Sequence, residues 1–181
     1  MFALNGAARI AAAAVLLGAI GYGLPAAAAE EGKITAFATW EGRGDFIQTG
    51  EKQQTFTGAL VGVIFVLTDH GPTPSGQLVC PVAVEVNQVD ASQTAKGHCT
   101  ITTEDGSRIY SDVACTGFQL VGCSGDMKLT GGTGRFAGVS GGGKMVIRAG
   151  SRTVVAGKAD VVNPVAGTGT AYWEALEYKI P

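Results

Sequence analysis

The sequence predicts an all-β fold, an antiparallel barrel of about eight strands, on three observations. Glycine accounts for 28 of 181 residues, about twice its average share, and it is scattered among Val, Thr, Ile and Phe. No stretch after Glu30 has the apolar repeat of an amphipathic helix. Turn-forming residues recur between short β-type runs, which is typical of antiparallel sheets without helical crossovers.

Period-two patterning and turn residues place the individual strands. In chain order they are predicted over residues 33–42, 53–68, 76–88, 95–104, 107–115, 119–130, 143–149, 152–161 and 170–180. Tight hairpins are predicted at Glu104–Ser107 and Ala149–Arg152, where glycine lies among polar residues. If the first and last strands pair, the sheet closes and brings Trp40 and Trp173 together.

Residues 1–29 are predicted to be a secretory signal peptide. Arg9 precedes an apolar run, and Pro25 separates that run from a stretch of alanines. The alanines at 27–29 supply the small side chains that a signal peptidase requires, so cleavage is expected after the last of them. A retained anchor needs about 20 uninterrupted apolar residues and is disfavoured. Residues 30–181 are therefore expected to form a single β-barrel domain in the periplasm or outside the cell.

Charge narrows the classes of partner. Residues 30–181 contain 12 basic and 15 acidic residues, a net charge of −3, with no cluster of Lys and Arg. Nucleic acid and anionic membrane surfaces require a concentrated positive face, so neither is expected as a partner. No cofactor and no transmembrane segment are expected after signal cleavage.

An even number of cysteines in an exported chain predicts disulfides. No pair has C-x₂-C spacing, so disulfides are favoured over zinc and no metal site is expected. Alternation along the predicted strands places every sulfur on the apolar side, which we expect to face the core. Three pairings are compatible with the sequence. The favoured one has the shortest range and joins neighbouring strands, Cys80 with Cys99 and Cys115 with Cys123.

The predicted second strand is apolar on both faces, with Ala-Leu-Val-Gly-Val-Ile-Phe-Val-Leu at 59–67. Such a strand must be covered on both sides. A barrel wall covers only the inner face, so the outer face is expected to pack against a terminal segment or a second copy. Burying each exposed Val or Phe gains roughly 1.5–3 kcal/mol. A homo-oligomer formed through 59–67 is therefore one of two alternatives.

The glycine-rich segment 129–144 contains patterns typical of nucleotide sites. Residues 138–144 have the spacing of a phosphate-binding loop, but Met145 stands where Ser or Thr must hold Mg²⁺. Residues 132–137 lack the βαβ unit of a dinucleotide site. Nucleotide binding is disfavoured on both counts.

The same segment matches the G-x-S-x-G spacing of a hydrolase elbow around Ser140. That elbow needs a helix after the serine, whereas a strand is predicted here. His70 and His98 also precede Ser140, while the elbow's histidine follows its serine. Hydrolase chemistry is therefore disfavoured.

Residues 130–141, Thr-Gly-Gly-Thr-Gly-Arg-Phe-Ala-Gly-Val-Ser-Gly, resemble the glycine-rich turn of the allene oxide cyclase and dirigent barrel superfamily. By strand count the resemblance extends over 33–180, and it suggests the bacterial exported branch. It implies a short turn or single helical loop that returns the chain to the sheet. We expect Phe136 to plug one end of the core and Arg135 to bind rim carbonyls. The turn residues are Gly132, Gly134, Arg135, Phe136 and Gly138.

The cyclase's acidic N-terminal signature is missing, so the resemblance assigns no catalytic residue. Aromatic residues concentrate in the first two strands and the last. Besides filling the core, they suit the mouth of a small barrel that holds an apolar ligand. The ligand-binding residues predicted on this basis are Trp40, Phe56 and Trp173. Alternation places Tyr110 opposite the cysteines, on the rim or outer surface, and Tyr110 is a further ligand-binding candidate for the case in which the cysteine face is the outer one.

Three functions follow from the sequence. The first is an exported, non-catalytic barrel that binds a small hydrophobic ligand or an envelope protein. The second, which the resemblance implies, is an isomerase or cyclase that constrains a reactive lipid-derived substrate beside one carboxylate or bound water. The third is a structural envelope protein that interacts through 59–67.

Overall fold

Eight antiparallel strands form a closed barrel in the computed structural model, which describes residues 29–154 and 161–181. Each strand pairs with its neighbours in sequence, and the first pairs with the last. The all-β class, the strand number and the closure match the sequence prediction. The predicted signal peptide lies outside the described residues except for Ala29. The strands are β1 (Glu30–Gly50), β2 (Gln53–Thr68), β3 (Gly71–Asn87), β4 (Ser92–Thr102), β5 (Arg108–Phe118), β6 (Gly122–Thr133), β7 (Ser140–Val154) and β8 (Val162–Ile180).

Alternation sorts the residues of each strand between the barrel interior and the outer surface. On β4 the buried positions are Gly97, Cys99 and Ile101, while Lys96 and His98 are exposed. All the half-cystines are buried, so the cysteine-bearing face is the inner one, as predicted. The disulfides join Cys80 to Cys99 and Cys115 to Cys123, the pairing favoured from the sequence.

The two ends of the barrel differ. The end that carries the β2–β3, β4–β5 and β6–β7 connections is filled by side chains, and we call it the closed end. A 3₁₀ helix over Gly134–Phe136 lies at this end, and the half-buried side chain of Phe136 packs against the core cluster that contains Val139. Gly134 has φ +60° and Gly138 has φ +76°, a region that glycine adopts without steric cost. The 3₁₀ helix is the single helical loop that the resemblance implied, while the plugging role of Phe136 stays a prediction.

Arg135 behaves differently from the prediction. Its Nε lies 3.5 Å from Oδ2 of Asp105, and its guanidinium lies 4.8 Å from the centre of the Phe136 ring. The expected bonds to rim carbonyls are replaced by a carboxylate because the β4–β5 turn brings Asp105 alongside. Arg135 thus ties two connections of the closed end together.

Asp105 organises the β4–β5 turn, one of the two predicted hairpins. Its carboxylate accepts hydrogen bonds from the hydroxyl of Thr103 at 2.6 Å and from the backbone N–H of Ser107 at 3.0 Å. The Ser107 hydroxyl donates to Oδ2 of Asp105 at 3.1 Å and accepts from the backbone N–H of Arg135 at 3.3 Å. This hairpin is confirmed, and Gly106 at φ +78° completes its turn.

The second predicted hairpin, Ala149–Arg152, is wrong. Strand β7 continues through these residues, with a shift in its register against β8 between Ala149 and Arg152. A bulge of this kind accommodates a glycine without reversing the chain. The separate strand predicted at 152–161 therefore belongs in part to β7, and residues 155–160 lie outside the described residues.

No segment within residues 29–154 and 161–181 covers the outer face of residues 59–67, although such a cover was expected. Val61 is 53% exposed and its partner on β3, Val79, is 42% exposed. The Phe65 ring stacks on Phe37 of β1 at 4.9 Å, which covers only part of the strip. Glu30 of β1 and Ile180 of β8 are instead paired with each other within the barrel wall.

Candidate functional site: an apolar cavity inside the barrel

The barrel interior contains a partly open cavity of about 250 Å³. It lies away from the closed end, toward the end that carries the β1–β2, β3–β4 and β5–β6 turns. Leu120 of the β5–β6 turn lines the cavity and is also 64% exposed, which places the opening here. We call this end the mouth.

The cavity wall is apolar and partly built from small residues. Its large side chains come from every strand and include Phe46, Leu60, Leu78, Val82, Met127 and Met145. Small residues widen the space between them, namely Gly42, Ala95, Gly122, Ala149, Ala166, Gly167 and Ala171. The lining residues with polar side chains, apart from two indoles, are Gln93, Lys96 and Thr168. A space of this chemistry is suited to an apolar molecule.

Three of the four predicted ligand-binding residues line this cavity: Trp40, Phe56 and Trp173. Tyr110 does not line it. On β5 the core-packed residues Ile109 and Val113 alternate with Tyr110, so its side chain belongs to the outer surface. The sequence placed Tyr110 opposite the cysteines and made it a candidate only if that face lined the interior, which the buried half-cystines exclude.

Pairing of β1 with β8 closes the barrel and places both tryptophans in the wall of one cavity, but the two residues are not direct partners across the strands. Trp40 pairs with Gly169, and Trp173 pairs with Ala36, across the β1–β8 seam. The ring of Trp40 lies over Gly169, where a Cβ would be 2.7 Å from Cε2 of the indole. Glycine at this position therefore leaves the space that the ring occupies.

Neither indole N–H has a hydrogen-bond acceptor within the described part of the chain. Nε1 of Trp40 and Nε1 of Trp173 are both buried and unpartnered, and Trp173 as a whole is 2% exposed. Buried indole N–H groups usually find a partner. Within these ranges, the remaining buried side-chain polar atom without one is Oγ of Ser111, which does not line the cavity.

Both disulfides form part of the cavity wall, since all the half-cystines are lining residues. Gly125 pairs with Cys115 and Gly117 pairs with Cys123 across the β5–β6 ladder. A Cβ on Gly125 would lie 2.7 Å from that of Cys115, so glycine makes room for this bridge. Sequence reasoning assigned the sulfurs to the core but missed that they border an open space.

The acidic groups of residues 29–154 and 161–181 lie outside the cavity lining. On the exposed surface, Oδ1 of Asp112 lies 2.7 Å from Nδ1 of His98. Oδ1 of Asp126 forms a salt bridge with Nζ of Lys144, also at 2.7 Å. At the closed end, the hydroxyl of Thr103 and then the backbone N–H of Ser107 hold the pKa of Asp105 below its usual value. None of these groups is placed to act on a molecule in the cavity.

Ser140, the centre of the G-x-S-x-G match, begins strand β7 and is exposed. A strand rather than a helix follows it, so it does not form a nucleophile elbow. Among residues 29–154 and 161–181, no group of three His, Cys, Asp or Glu side chains is arranged to hold a metal ion.

No protein-family model matches this chain, and no curated protein was found with a similar sequence. The resemblance of residues 130–141 to the allene oxide cyclase and dirigent turn thus remains a prediction. A search of the described residues found no helix that is long and apolar enough to cross a membrane.

Proposed function

We propose that this chain is an exported barrel that binds a small hydrophobic ligand in its interior without catalysing a reaction. The observation that carries the proposal is the apolar cavity of about 250 Å³ with Trp40 and Trp173 in its wall. A barrel that only stabilised itself would fill this space, because interiors normally pack with few voids larger than a water molecule. Export and signal cleavage before Glu30 are part of the same proposal, and the buried disulfides support them.

The size of the cavity limits the ligand. An apolar cavity of ~150 Å³ accommodates benzene. A cavity of about 250 Å³ therefore suits a molecule of roughly ten non-hydrogen atoms by the same scaling. A single six-membered ring with a short substituent, or two fused rings, fits this limit.

Tryptophan emission provides a direct test, because the chain has only two tryptophans and both line the cavity. Titration of the oxidised protein with tetralin, an apolar molecule of suitable size, is expected to change the emission in a saturable way. Ala95→Leu fills the cavity and is expected to abolish the change. Ala83→Leu, on the exposed outer face of the adjacent strand, is the matched control and should leave it intact.

Absence of any saturable response in the unmodified protein would contradict the proposal. Equal responses in the two variants would show that tetralin binds elsewhere. Native mass spectrometry of protein purified from its own host would add the mass of any ligand that the cavity retains.

The second candidate function is interaction with an envelope partner or a second copy through the outer apolar strip. The observation in its favour is the exposure of Val61 and Val79 on adjacent strands. Light scattering on the purified protein tests self-association. Val61→Lys should dissociate a dimer that uses this strip, whereas a monomer at high concentration would remove the argument for self-association.

The cyclase alternative requires a carboxylate or an ordered water beside the substrate. The described lining contains no Asp or Glu, so the ligand-binding function fits the wall better than the cyclase function.

A further inference from the structure

Exposed apolar side chains gather at the mouth of the barrel. Residues 29–154 and 161–181 have ten large hydrophobic side chains that are exposed, and six of these lie on turns or strand ends of the mouth. The start of β8 belongs to this end because Val162 pairs with Ile47, close to the β1–β2 turn. The six side chains, which we call the mouth rim, are each 49–68% exposed and belong to Val89, Phe118, Leu120, Val121, Val161 and Val162. An apolar group of this size at one end of a protein marks an interaction surface.

The connections at the closed end have the opposite character. Asp69 and His70 of the β2–β3 connection are exposed there, as are Glu104 and Asp105 of the β4–β5 turn. The barrel is therefore amphipathic along its axis, with apolar turns at the mouth and charged turns at the closed end.

Leu120 is held outward by the backbone of the β5–β6 turn. Its φ is +69°, a left-handed conformation that leucine adopts at a steric cost and that glycine or asparagine would fit better. The N–H of Gln119 donates to the carbonyl oxygen of Ala91 at 2.8 Å. On the other side of the turn, the carbonyl oxygen of Val121 accepts from the N–H of Ala149 at 3.3 Å. An anchored turn thus presents leucine to the solvent, although the turn geometry itself does not require leucine.

The charges at the mouth do not favour a charged partner. The described turns of this end carry Glu51, Lys52 and Asp90, and the strand ends beside them carry Glu85 and Arg148. Binding of an anionic lipid surface requires a cluster of Lys and Arg. Acidic and basic residues are instead mixed, so a surface without net charge is the better match for the rim.

The shape of the rim favours a lipid bilayer over a protein partner. Stable protein interfaces bury about 800 Å² on each partner in well-packed contact. The rim side chains come from separate elements around an opening, so a protein partner would leave the cavity as an unpacked space within the interface. A second copy placed mouth to mouth would also close the cavity to ligands. Fluid hydrocarbon has no fixed shape and can surround separate apolar side chains.

We propose that the mouth docks on a neutral lipid bilayer, with the rim side chains inserted at the boundary between headgroups and acyl chains. In this orientation the charged closed end stays in water and the cavity opens toward hydrocarbon. An apolar ligand would then enter from the bilayer without crossing water. Ligand entry rests on the proposed function, whereas docking rests on the rim alone.

Co-sedimentation of the purified, oxidised protein with phosphatidylcholine vesicles tests the docking. Binding is expected, and adding phosphatidylglycerol should not strengthen it, because the mouth has no cluster of basic residues. Phe118→Ser combined with Val121→Ser removes two rim side chains that do not line the cavity and should weaken vesicle binding about tenfold. Val61→Ser combined with Val79→Ser is the matched control, because these exposed side chains lie on the outer wall away from the rim. The control should bind vesicles like the unmodified protein.

Brominated phosphatidylcholine, which quenches nearby indoles, reports the orientation. Val121→Trp adds an indole to the rim, and Val79→Trp adds one to the outer wall. Bromines placed near the headgroup end of the acyl chains are expected to quench the added indole of the first variant and not that of the second. The tetralin response of the Phe118→Ser and Val121→Ser double variant should equal that of the unmodified protein, which shows that the fold and the cavity are retained.

Failure of the unmodified protein to bind phosphatidylcholine vesicles would overturn the docking and leave the cavity a binding site. Equal weakening by the two double variants, or binding that requires phosphatidylglycerol, would overturn it as well. A lipid-free dimer that the rim variant dissociates would assign the rim to a second copy instead. Rim-dependent vesicle binding without any tetralin response would uphold the docking and remove the proposed function.

Discussion

Trp40 on β1 and Gly169 on β8 are direct partners across the seam that closes the barrel, and the indole ring covers the glycine. A methyl group on Gly169 would overlap the ring edge at Cζ2 and Cε2 and would also meet the backbone oxygen of Arg148. The orientation of the Trp40 ring thus depends on a residue in another strand that has no side chain.

Gly169→Ala is expected to displace the Trp40 ring and to lower the free energy of unfolding by about 1–3 kcal/mol, the usual cost of overpacking. The emission of Trp40 should shift at the same time. Gly50→Ala is the control, because its Cβ would meet its nearest neighbour at an ordinary 3.5 Å. Similar unfolding curves for the two variants would contradict the assigned contact.

Ser111→Ala is expected to stabilise the protein by about 1 kcal/mol, because the hydroxyl is buried without a hydrogen bond. Thermal unfolding should shift upward by roughly 3 °C. Ser107→Ala makes the same chemical change where the hydroxyl bonds to Asp105 and to the N–H of Arg135, and it should destabilise. A loss of stability in Ser111→Ala would indicate a bonded partner for that hydroxyl.

The depressed pKa of Asp105 predicts a dependence of stability on acidic pH. Because the folded-state pKa lies below the unfolded value near 3.8, the stabilisation is present above that value and is lost as the pH falls through the folded pKa. Asp105→Asn should therefore be less stable than the unmodified protein at neutral pH, with the difference shrinking below about pH 4. Thr103→Val removes the main hydrogen-bond donor and should raise the pKa of Asp105 toward its ordinary value. A constant difference from pH 7 to pH 2 would contradict this assignment.

The two disulfides are expected to contribute unequally. The Cys80–Cys99 bridge closes a longer loop than the Cys115–Cys123 bridge, with sequence separations of 19 and 8. The chain-entropy model gives the longer loop an advantage of about 0.7 kcal/mol. Replacing each pair by alanines and comparing denaturant midpoints checks the order. The opposite order would show that native packing, rather than loop length, decides the contribution.

Intact mass measurement on protein purified from its own host tests the proposed signal cleavage. The expected mass is that of residues 30–181, reduced by the hydrogens lost on forming two disulfides. A mass that includes residues 1–29 would contradict cleavage. Alkylation that adds mass only after reduction identifies the cysteines as bridged in the isolated protein.

The strands and their faces were largely predictable because a one-residue slip moves every apolar side chain to the wrong side of a sheet. Cys99 and Ile101 on one side and His98 on the other fix the register of β4 from the sequence alone. The bulge at Ala149–Arg152 was not predictable, since Gly-Ser in a strand and Gly-Ser in a turn look alike without the pairing partner. β8 is what holds that segment extended.

The candidate site was only partly predictable. Aromatic content pointed to Trp40, Phe56 and Trp173, whereas Tyr110 was a candidate only for the opposite assignment of the inner face, which the buried half-cystines exclude. The cavity itself depends on where small residues meet across strands, as Ala95 does with Cys115. Which small residues face each other depends on the register of every strand pair. The unpaired indoles likewise become visible only when the surrounding atoms are placed.

The small residues of the cavity wall, such as Ala95, Ala166 and Ala171, make the internal volume adjustable in single methyl steps. Each sits on a strand that its neighbours hold in register, so enlarging one side chain narrows the space without altering a loop or a turn. Under the proposed binding function, substitutions at these positions are expected to change the length of ligand that the barrel prefers. Variation in this wall is therefore the place to search for a family of binders with graded preferences.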